Sequence, residues 1–500
     1  MFLEKGESEK GKGNFEMRVS VQLLLKNERK YSYMQESFLI IGAGPAGLTA
    51  AHELLKYQKT PIVLEQCQHV GGISRTEIDK GYRFDIGGHR FYTKDKKINK
   101  LWHDMLGPEF CAVKRFSRIY YNQHYFHYPL KLGNTLKNLG IVESARILIS
   151  YFLVKLWPCH EETTFEHWVT NRFGRRLYDT FFKVYTEKVW GIPCDQIQAE
   201  WAAQRIKGLS FKSILMNVLS NAVQNAHTLI DEFHYPRLGP GMMWEAFQTQ
   251  IQQSGGQVQL GTRAERIQHE THRIKHVIAH NGTETIELPV EQLISTLPIS
   301  VLIKQLDPAP PFEVLQAAHG LKYRAFVLVG LILDQADIFP DNWIYIHEPS
   351  VKVGRIQNFK NWSADMVADP NKTSLGMEYF CDEGDEIWTQ SDEKRIALAT
   401  QEVCQLGFIC TDKIEAGYVI RQPKAYPVYD AQYQKHLQII QDFLTPFENL
   451  QTIGRNGMHR YNNMDHSMLM GLLAARNIMG EKNDLWRENI DHAYYEDMEK

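Results

Sequence analysis

The feature that most constrains this chain is Ile40-Ile41-Gly42-Ala43-Gly44-Pro45-Ala46-Gly47-Leu48, followed by an acid at Glu65. An apolar run meets a glycine turn that opens a helix, and a second apolar run, Pro61-Ile62-Val63-Leu64, ends on that acid. The pattern predicts a βαβ dinucleotide-binding unit. Gly42 suits the tight turn. Gly44, with Pro45 and Ala46 beside it, lets backbone approach a pyrophosphate at the free N–H groups of the helix N-terminus. Gly47 lets helix and strand pack closely. Glu65, with Gln66 next to it, stands where a carboxylate accepts hydrogen bonds from a ribose. An acid there disfavours the 2′-phosphate of NADP and leaves FAD and NAD. The run Val70-Gly71-Gly72-Ile73-Ser74-Arg75-Thr76 comes next and favours FAD, because it brings Gly72 backbone and the Arg75 guanidinium toward a flavin and its phosphates. The plainer alternative is a glycine-rich loop in an ordinary α/β fold.

A second site-like segment lies near the other end. Asn449-Leu450-Gln451-Thr452-Ile453-Gly454-Arg455-Asn456-Gly457 reads as a strand ending in glycine. Asn463, Met464, Asp465 and Ser467 then lead into a helix expected from about His466 to Met479. Its N-terminus points a second set of N–H groups at the cofactor, where they stabilise negative charge on a reduced flavin. Asp465 either caps that helix or binds the ribityl chain.

These segments are dispersed, which predicts an α/β fold with a discontinuous Rossmann-type FAD-binding domain over 34–115, 235–300 and 440–480. A mainly helical insert at 116–234 and an antiparallel β-sheet substrate domain at 301–439 interrupt it. Residues 1–33 read as a disordered extension without a signal-peptide core, and 481–500 as a tail. Near 260 the run Gly256 to Ile267 reads as one strand. Five hundred residues suffice for several packed units, and a net charge of −3 gives no sign of nucleic-acid binding. Seven scattered cysteines without a CxxC pair fit a reducing cytoplasm and show no metal site. The stretch Ile141 to Trp157 is apolar but broken by Glu143, Arg146 and Lys155. It reads as an amphipathic helix packed on the body; membrane-surface contact is left open as the alternative and is not predicted.

Five segments, in order, resemble the UDP-galactopyranose mutases, within the amine-oxidase and protoporphyrinogen-oxidase-like flavoproteins. They are Gly87-Gly88-His89-Arg90-Phe91-Tyr92-Thr93, Tyr185-Thr186-Glu187-Lys188-Val189-Trp190-Gly191, Tyr323-Arg324, Arg355-Ile356-Gln357-Asn358-Phe359-Lys360, and Gly454-Arg455 through Arg460-Tyr461-Asn462-Asn463-Met464-Asp465. The resemblance implies a reduced FAD whose N5 displaces UDP from the anomeric carbon of a nucleotide sugar. The ring then opens and recloses as pyranose or furanose without net redox change. NAD(P)H is open as the reductant, cell-surface polysaccharide synthesis as the setting, and a homo-oligomer as the assembly. Arg205, Arg324 and Arg455, with the Tyr461 hydroxyl, are the implied diphosphate ligands. Tyr185 and Trp190 match residues that contact uridine, and His89, beside Gly88, matches the histidine next to the flavin.

Each of these has a plainer reading. For Arg205 it is a helix cap, for Tyr185 and Trp190 core packing, and for Arg324 a structural ion pair. The chain departs from the mutases at Asn463, where they carry an acid, and over Lys207-Gly208-Leu209-Ser210-Phe211-Lys212. An oxidase or desaturase acting on a bulkier, more apolar substrate is therefore the alternative expectation.

Overall fold

The computed structural model describes residues 37–128, 130, 132–199 and 232–487. The expected 1–33 extension, Arg205 and the Lys207–Lys212 stretch lie outside the described residues. The strand Ser37–Ile41 is apolar and buried from Phe38 onward and lies inside an eight-stranded sheet. It pairs in parallel with Pro61–Leu64 on one side and Thr285–Ser295 on the other. A strand covered on both faces needs such a continuous apolar run. Gln257–Gln259 lies outside Pro61–Leu64, and Leu450–Thr452 pairs in parallel with the end of Thr285–Ser295. The first half of that long strand instead joins an antiparallel arm of Arg273–His280 and Arg263–Glu270. The run expected as one strand near 260 is thus two, parted at Gly261, where φ is +62°.

Two helices cover the glycine turn. Pro45–Lys56 follows it directly, and Met464–Ile478 packs along that helix. Their approach is close enough that a Cβ on Gly471 would lie 2.4 Å from the Ala46 carbonyl oxygen. Gly42 has φ +101°, and a Cβ there would lie 2.0 Å from Thr296 Oγ1. The turn therefore has no room for a side chain and needs a left-handed backbone.

A seven-stranded sheet stands beside the first. Its order is Ile414–Pro427, Tyr323–Leu333, Thr373–Cys381, Arg355–Asn358, Trp343–Ile346, Ser117–Tyr121, His124–His127. The last two strands fall where a helical insert was expected. They form a two-residue hairpin over Asn122 and Gln123, both at positive φ, a geometry whose sequence signal is usually Asn-Gly. Glu232–Pro236 is likewise a strand, paired with Phe110–Lys114. The described residues between them are mainly helical: Leu132–Leu156, kinked at Gly140, then Phe165–Phe173, Arg175–Lys183 and Val184–Trp190. They bury Phe165, Trp168, Phe173 and Phe181 against Phe326, Leu328, Trp343 and Phe359 of the seven-stranded sheet and its edge. Within the expected β domain, helices Ile299–Gln305 and Phe312–Gly320 pack instead on Leu39, Ile41 and Ile62 of the first sheet, as does Ile440 of helix Tyr433–Leu444. The two sheets and the helical block meet at one cleft.

Candidate flavin and substrate site

The cleft has a volume of about 1050 Å³ and draws its walls from all three bodies. At one end lies the glycine turn. Gly44 is the N-cap of helix Pro45–Lys56 and offers no side chain to it, so the first-turn N–H groups lack an intrahelical acceptor. Gly72 faces Gly44 so closely that a Cβ on Gly72 would come 3.4 Å from Gly44 Cα. Two bare backbones and a helix N-terminus make a cradle for a pyrophosphate. Glu65 is buried and accepts hydrogen bonds from the Ala43 N–H (2.8 Å) and the Cys67 N–H (2.9 Å). These bonds fix its carboxylate, and each oxygen keeps a further lone pair for a ribose hydroxyl. Pro45, Ala46, Gln66, Thr262 and Ala264 line the same end. Arg75 is held by Glu77 (2.6 Å), the Gly72 carbonyl (2.9 Å) and Gln422 (3.0 Å).

Further along, Gly88, His89, Gly454, Asn463, Met464, Asp465 and Ser467 line the wall. His89 Nε2 donates to the Ile86 carbonyl at 2.9 Å, which fixes the tautomer. Burial, with Arg455 and Arg355 nearby, lowers its pKa to about 4, so the ring is neutral at neutral pH. Helix Met464–Ile478 is capped by Asn463, whose N–H donates to His466 Nδ1 at 3.2 Å. Asp465 is therefore not the cap. Its buried Oδ1 has no hydrogen-bond partner, an unusual state for a carboxylate. An acceptor of that kind fits a hydroxyl-bearing ribityl chain. Together with the glycine cradle and Glu65, it makes this end fit FAD. Among the described residues no cluster of histidine, cysteine or acidic side chains could hold a metal.

The other end is aromatic. Tyr185 stacks on His347 with ring centroids 5.0 Å apart and planes 9° apart. Trp190 stacks on Tyr429 and approaches Tyr461 at 6.4 Å. The Arg455 guanidinium lies 4.0 Å over the Tyr461 ring and 4.8 Å over Tyr426. Its Nη1 reaches the Asn462 carbonyl at 3.3 Å, and its Nε has no hydrogen-bond partner. No carboxylate among the described residues pairs with it, whereas Arg75, Arg324 and Arg355 each have one.

Arg324 is placed differently from the expectation. It is buried, its Nη1 is 2.6 Å from Asp382, and its Nε donates to the Val189 carbonyl at 3.3 Å. It presses on Gly191 and lines a separate pocket of about 290 Å³. The structure thus brings Tyr185, Trp190, Tyr461, Arg455 and His89 to one cleft and leaves Arg324 outside it. A cation that drew no functional reading from the sequence takes up a place in the wall. Arg355 lies beside Gly87, with Glu378 at 2.6 Å and Gln357 on the other Glu378 oxygen at 2.8 Å. Burial pushes its pKa down, but Glu378 outweighs this and holds it well above the usual value. Its segment was visible as part of the resemblance, but only tertiary packing shows that the side chain faces the cleft.

Buried histidines near the cleft set a pH dependence. Burial lowers His89 and His459 to about 4 and His347 to about 3. A histidine whose folded pKa is depressed stabilises the fold above its unfolded pKa of about 6.5, and this is lost as pH falls. Asp85 opposes the trend, because burial raises its pKa to about 7 and the folded state takes up its proton first. Three protons against one leave the unfolded chain binding about two more near pH 5.5. Stability of the apoprotein is expected to fall by roughly 2–3 kcal/mol per pH unit there, measurable by urea denaturation from pH 7 to 5. A flat profile would contradict the neutral-histidine assignment.

Comparison with known proteins bears on the family and the fold. A family model described as an NAD(P)-binding Rossmann-like domain matches residues 40–105. One described as flavin containing amine oxidoreductase matches residues 192–479. A UDP-galactopyranose mutase from Mycoplasma pneumoniae is 26% identical over 181 residues, 32% of this chain and 42% of that protein. The chain spans less than half the length of the curated mutases it matches. The crystal structure of a reduced UDP-galactopyranose mutase superposes with a TM-score of 0.79 at 21% identity, over 90% of this chain and 97% of that one. Putrescine oxidase bound to putrescine gives 0.59 at 16% identity, over 89% and 99%. These structural likenesses share the fold of the flavin cleft.

Proposed function

Because this chain belongs to the flavin-containing amine oxidoreductase family, we propose that it is an FAD-dependent enzyme whose substrate is a nucleotide-activated sugar, isomerised between pyranose and furanose forms. The observation that carries the reading is Arg455, a cleft guanidinium stacked on two tyrosines and lacking a carboxylate partner among the described residues. Such a cation calls for an anion from the ligand, and the flanking rings suit a nucleobase. Curated mutases match about a third of the chain.

Reduced FAD, when bound, supplies an electron-rich N5 able to displace a nucleoside diphosphate from an anomeric carbon. The residues of the chain do the rest. Gly42, Gly44 and Gly47 shape the cradle, Glu65 takes the adenosine ribose, and Asp465 takes the ribityl hydroxyls. Gly88 leaves room beside the neutral His89, which adds no positive charge next to the flavin. Tyr185 and Trp190 hold the base. Arg455 and the Tyr461 hydroxyl offset the negative charge that grows on the departing diphosphate. Arg324 reaches a ligand only after leaving Asp382.

A second reading, an oxidase or desaturase, is favoured by one feature. The cleft has an apolar limb under the helical block, walled by Phe165, Phe173, Leu177 and Phe181. The two readings separate in one experiment. Dithionite-reduced, FAD-loaded protein is incubated anaerobically with UDP-galactofuranose and a panel of nucleotide sugars, with oxidised protein as control. Ring isomers formed only by the reduced protein are the expected result. No isomer from any sugar, together with flavin reduction by an apolar or amine substrate, would overturn it.

A further inference from the structure

Helix Leu132–Leu156 faces the body with Ile147, Leu148 and Tyr151, which pack on the cluster containing Phe165, Phe173 and Phe181. The opposite face is bare. Beyond the kink at Gly140, Ile141 and Val142 are followed by Ile149, Phe152, Leu153 and Leu156, with Trp157 at the end, all 50–89% exposed. The spacing from 142 to 149, 153 and 156 keeps them on one side of a helix. Water-exposed apolar side chains this dense mark a contact surface.

The charges say what covers it. Lys137 and Arg146 are exposed on this helix, Lys155 turns its ammonium to the Asn171 carbonyl of the body at 3.0 Å, and Glu143 is the one acid. Glu143 is mostly covered and bound by Arg176, with Arg146 at 3.5 Å. The outer face is therefore apolar, and the exposed charges beside it, Arg146 and Lys137 across the kink, are cationic. A second copy packed there about a two-fold axis would set Arg146 and its neighbours against their own equivalents. An anionic lipid surface complements both properties, and Trp157 suits the headgroup level. Among the described residues no helix is long and apolar enough to cross a membrane, so the helix lies in the surface. Phe165, Phe173 and Phe181, in the layer beneath it, also line the cleft's apolar limb, so one layer of side chains separates the helix from the site.

We propose that helix Leu132–Leu156 and Trp157 form an in-plane anchor on anionic membrane surfaces. The proposal stands independently of the mutase reading. The test is flotation of the FAD-loaded protein with vesicles of phosphatidylcholine and phosphatidylglycerol at low salt, beside the Ile149→Glu/Leu156→Glu variant. Both replaced side chains point outward, so the variant keeps its bound flavin and melting curve. The wild type is expected to float with the anionic vesicles. The variant, pure phosphatidylcholine and 0.5 M salt should each reduce the floated fraction about tenfold. Failure of the wild type to float at low salt overturns the anchor. So does light scattering that shows a wild-type dimer dissociated by the variant, with no vesicle binding by either form.

Discussion

Arg455→Ala is expected to lower kcat toward the nucleotide sugar by about 10²–10³-fold while the protein stays yellow. Loss of one preformed charge aimed at a developing anion costs on this order, roughly 3–4 kcal/mol. Three observations make the effect large. The guanidinium lies over Tyr461 and Tyr426, its Nε is unsatisfied, and no described carboxylate neutralises it. Stacking also fixes its orientation, so a lysine, which is a mobile point charge, should recover only part of the rate. Flavin content stays constant because the cradle at Gly44 and the acceptor at Glu65 are built by other segments. Activity within threefold of wild type would remove Arg455 from the diphosphate site. The parallel Arg324→Ala variant separates two roles. If Asp382 merely pairs with Arg324 structurally, the melting temperature falls and kcat of the remaining folded protein does not.

Gly44→Val is expected to yield a folded but colourless protein. Gly44 has φ −81° and ψ −178°, a conformation open to any residue. A Cβ there would meet nothing closer than Gly72 Cα at 3.9 Å, so the chain accommodates the substitution. The valine branches then occupy the space between the two glycine backbones that a pyrophosphate needs. FAD affinity should drop by at least about 100-fold, near 3 kcal/mol, read by flavin fluorescence on titration of apoprotein. Circular dichroism should match the wild-type apoprotein. Gly42→Val is the contrasting control. It meets Thr296 Oγ1 at 2.0 Å in a left-handed backbone, so it should cost the fold itself. Normal flavin binding by Gly44→Val would place the pyrophosphate elsewhere.

The glycine turn and Glu65 were legible in the sequence because each role depends on a local backbone requirement at short spacing. The same holds for Gly454 and the helix that follows it. Other features depended on contacts between distant segments. Asp382 is 58 residues from Arg324 (382 − 324), and no spacing rule links them. Arg355 reaches the cleft because Glu378, on the neighbouring strand, holds it there. The hairpin Ser117–His127 was hidden because Asn122-Gln123 adopts a left-handed turn without glycine. The capping role passed from Asp465 to Asn463 through a two-position difference in where the helix starts, an error typical of helix termini. At Ile141–Trp157 the apolar period was plain, but periodicity could not tell which of two apolar faces would be covered.

The last strand and helix of the first sheet give the cofactor a place in the order of events during synthesis. The cradle at Gly42–Gly47 leaves the ribosome early, while Gly454, Asp465 and Ser467 emerge some four hundred residues later. Leu450–Thr452 pairs with the strand Thr285–Ser295, and helix Met464–Ile478 packs against Pro45–Lys56. A nascent chain lacking that last stretch can present only half a binding site. If Gly454, Asp465 and Ser467 hold the flavin as proposed, capture waits for the Leu450–Ile478 stretch to dock, and colour becomes a readout of that docking.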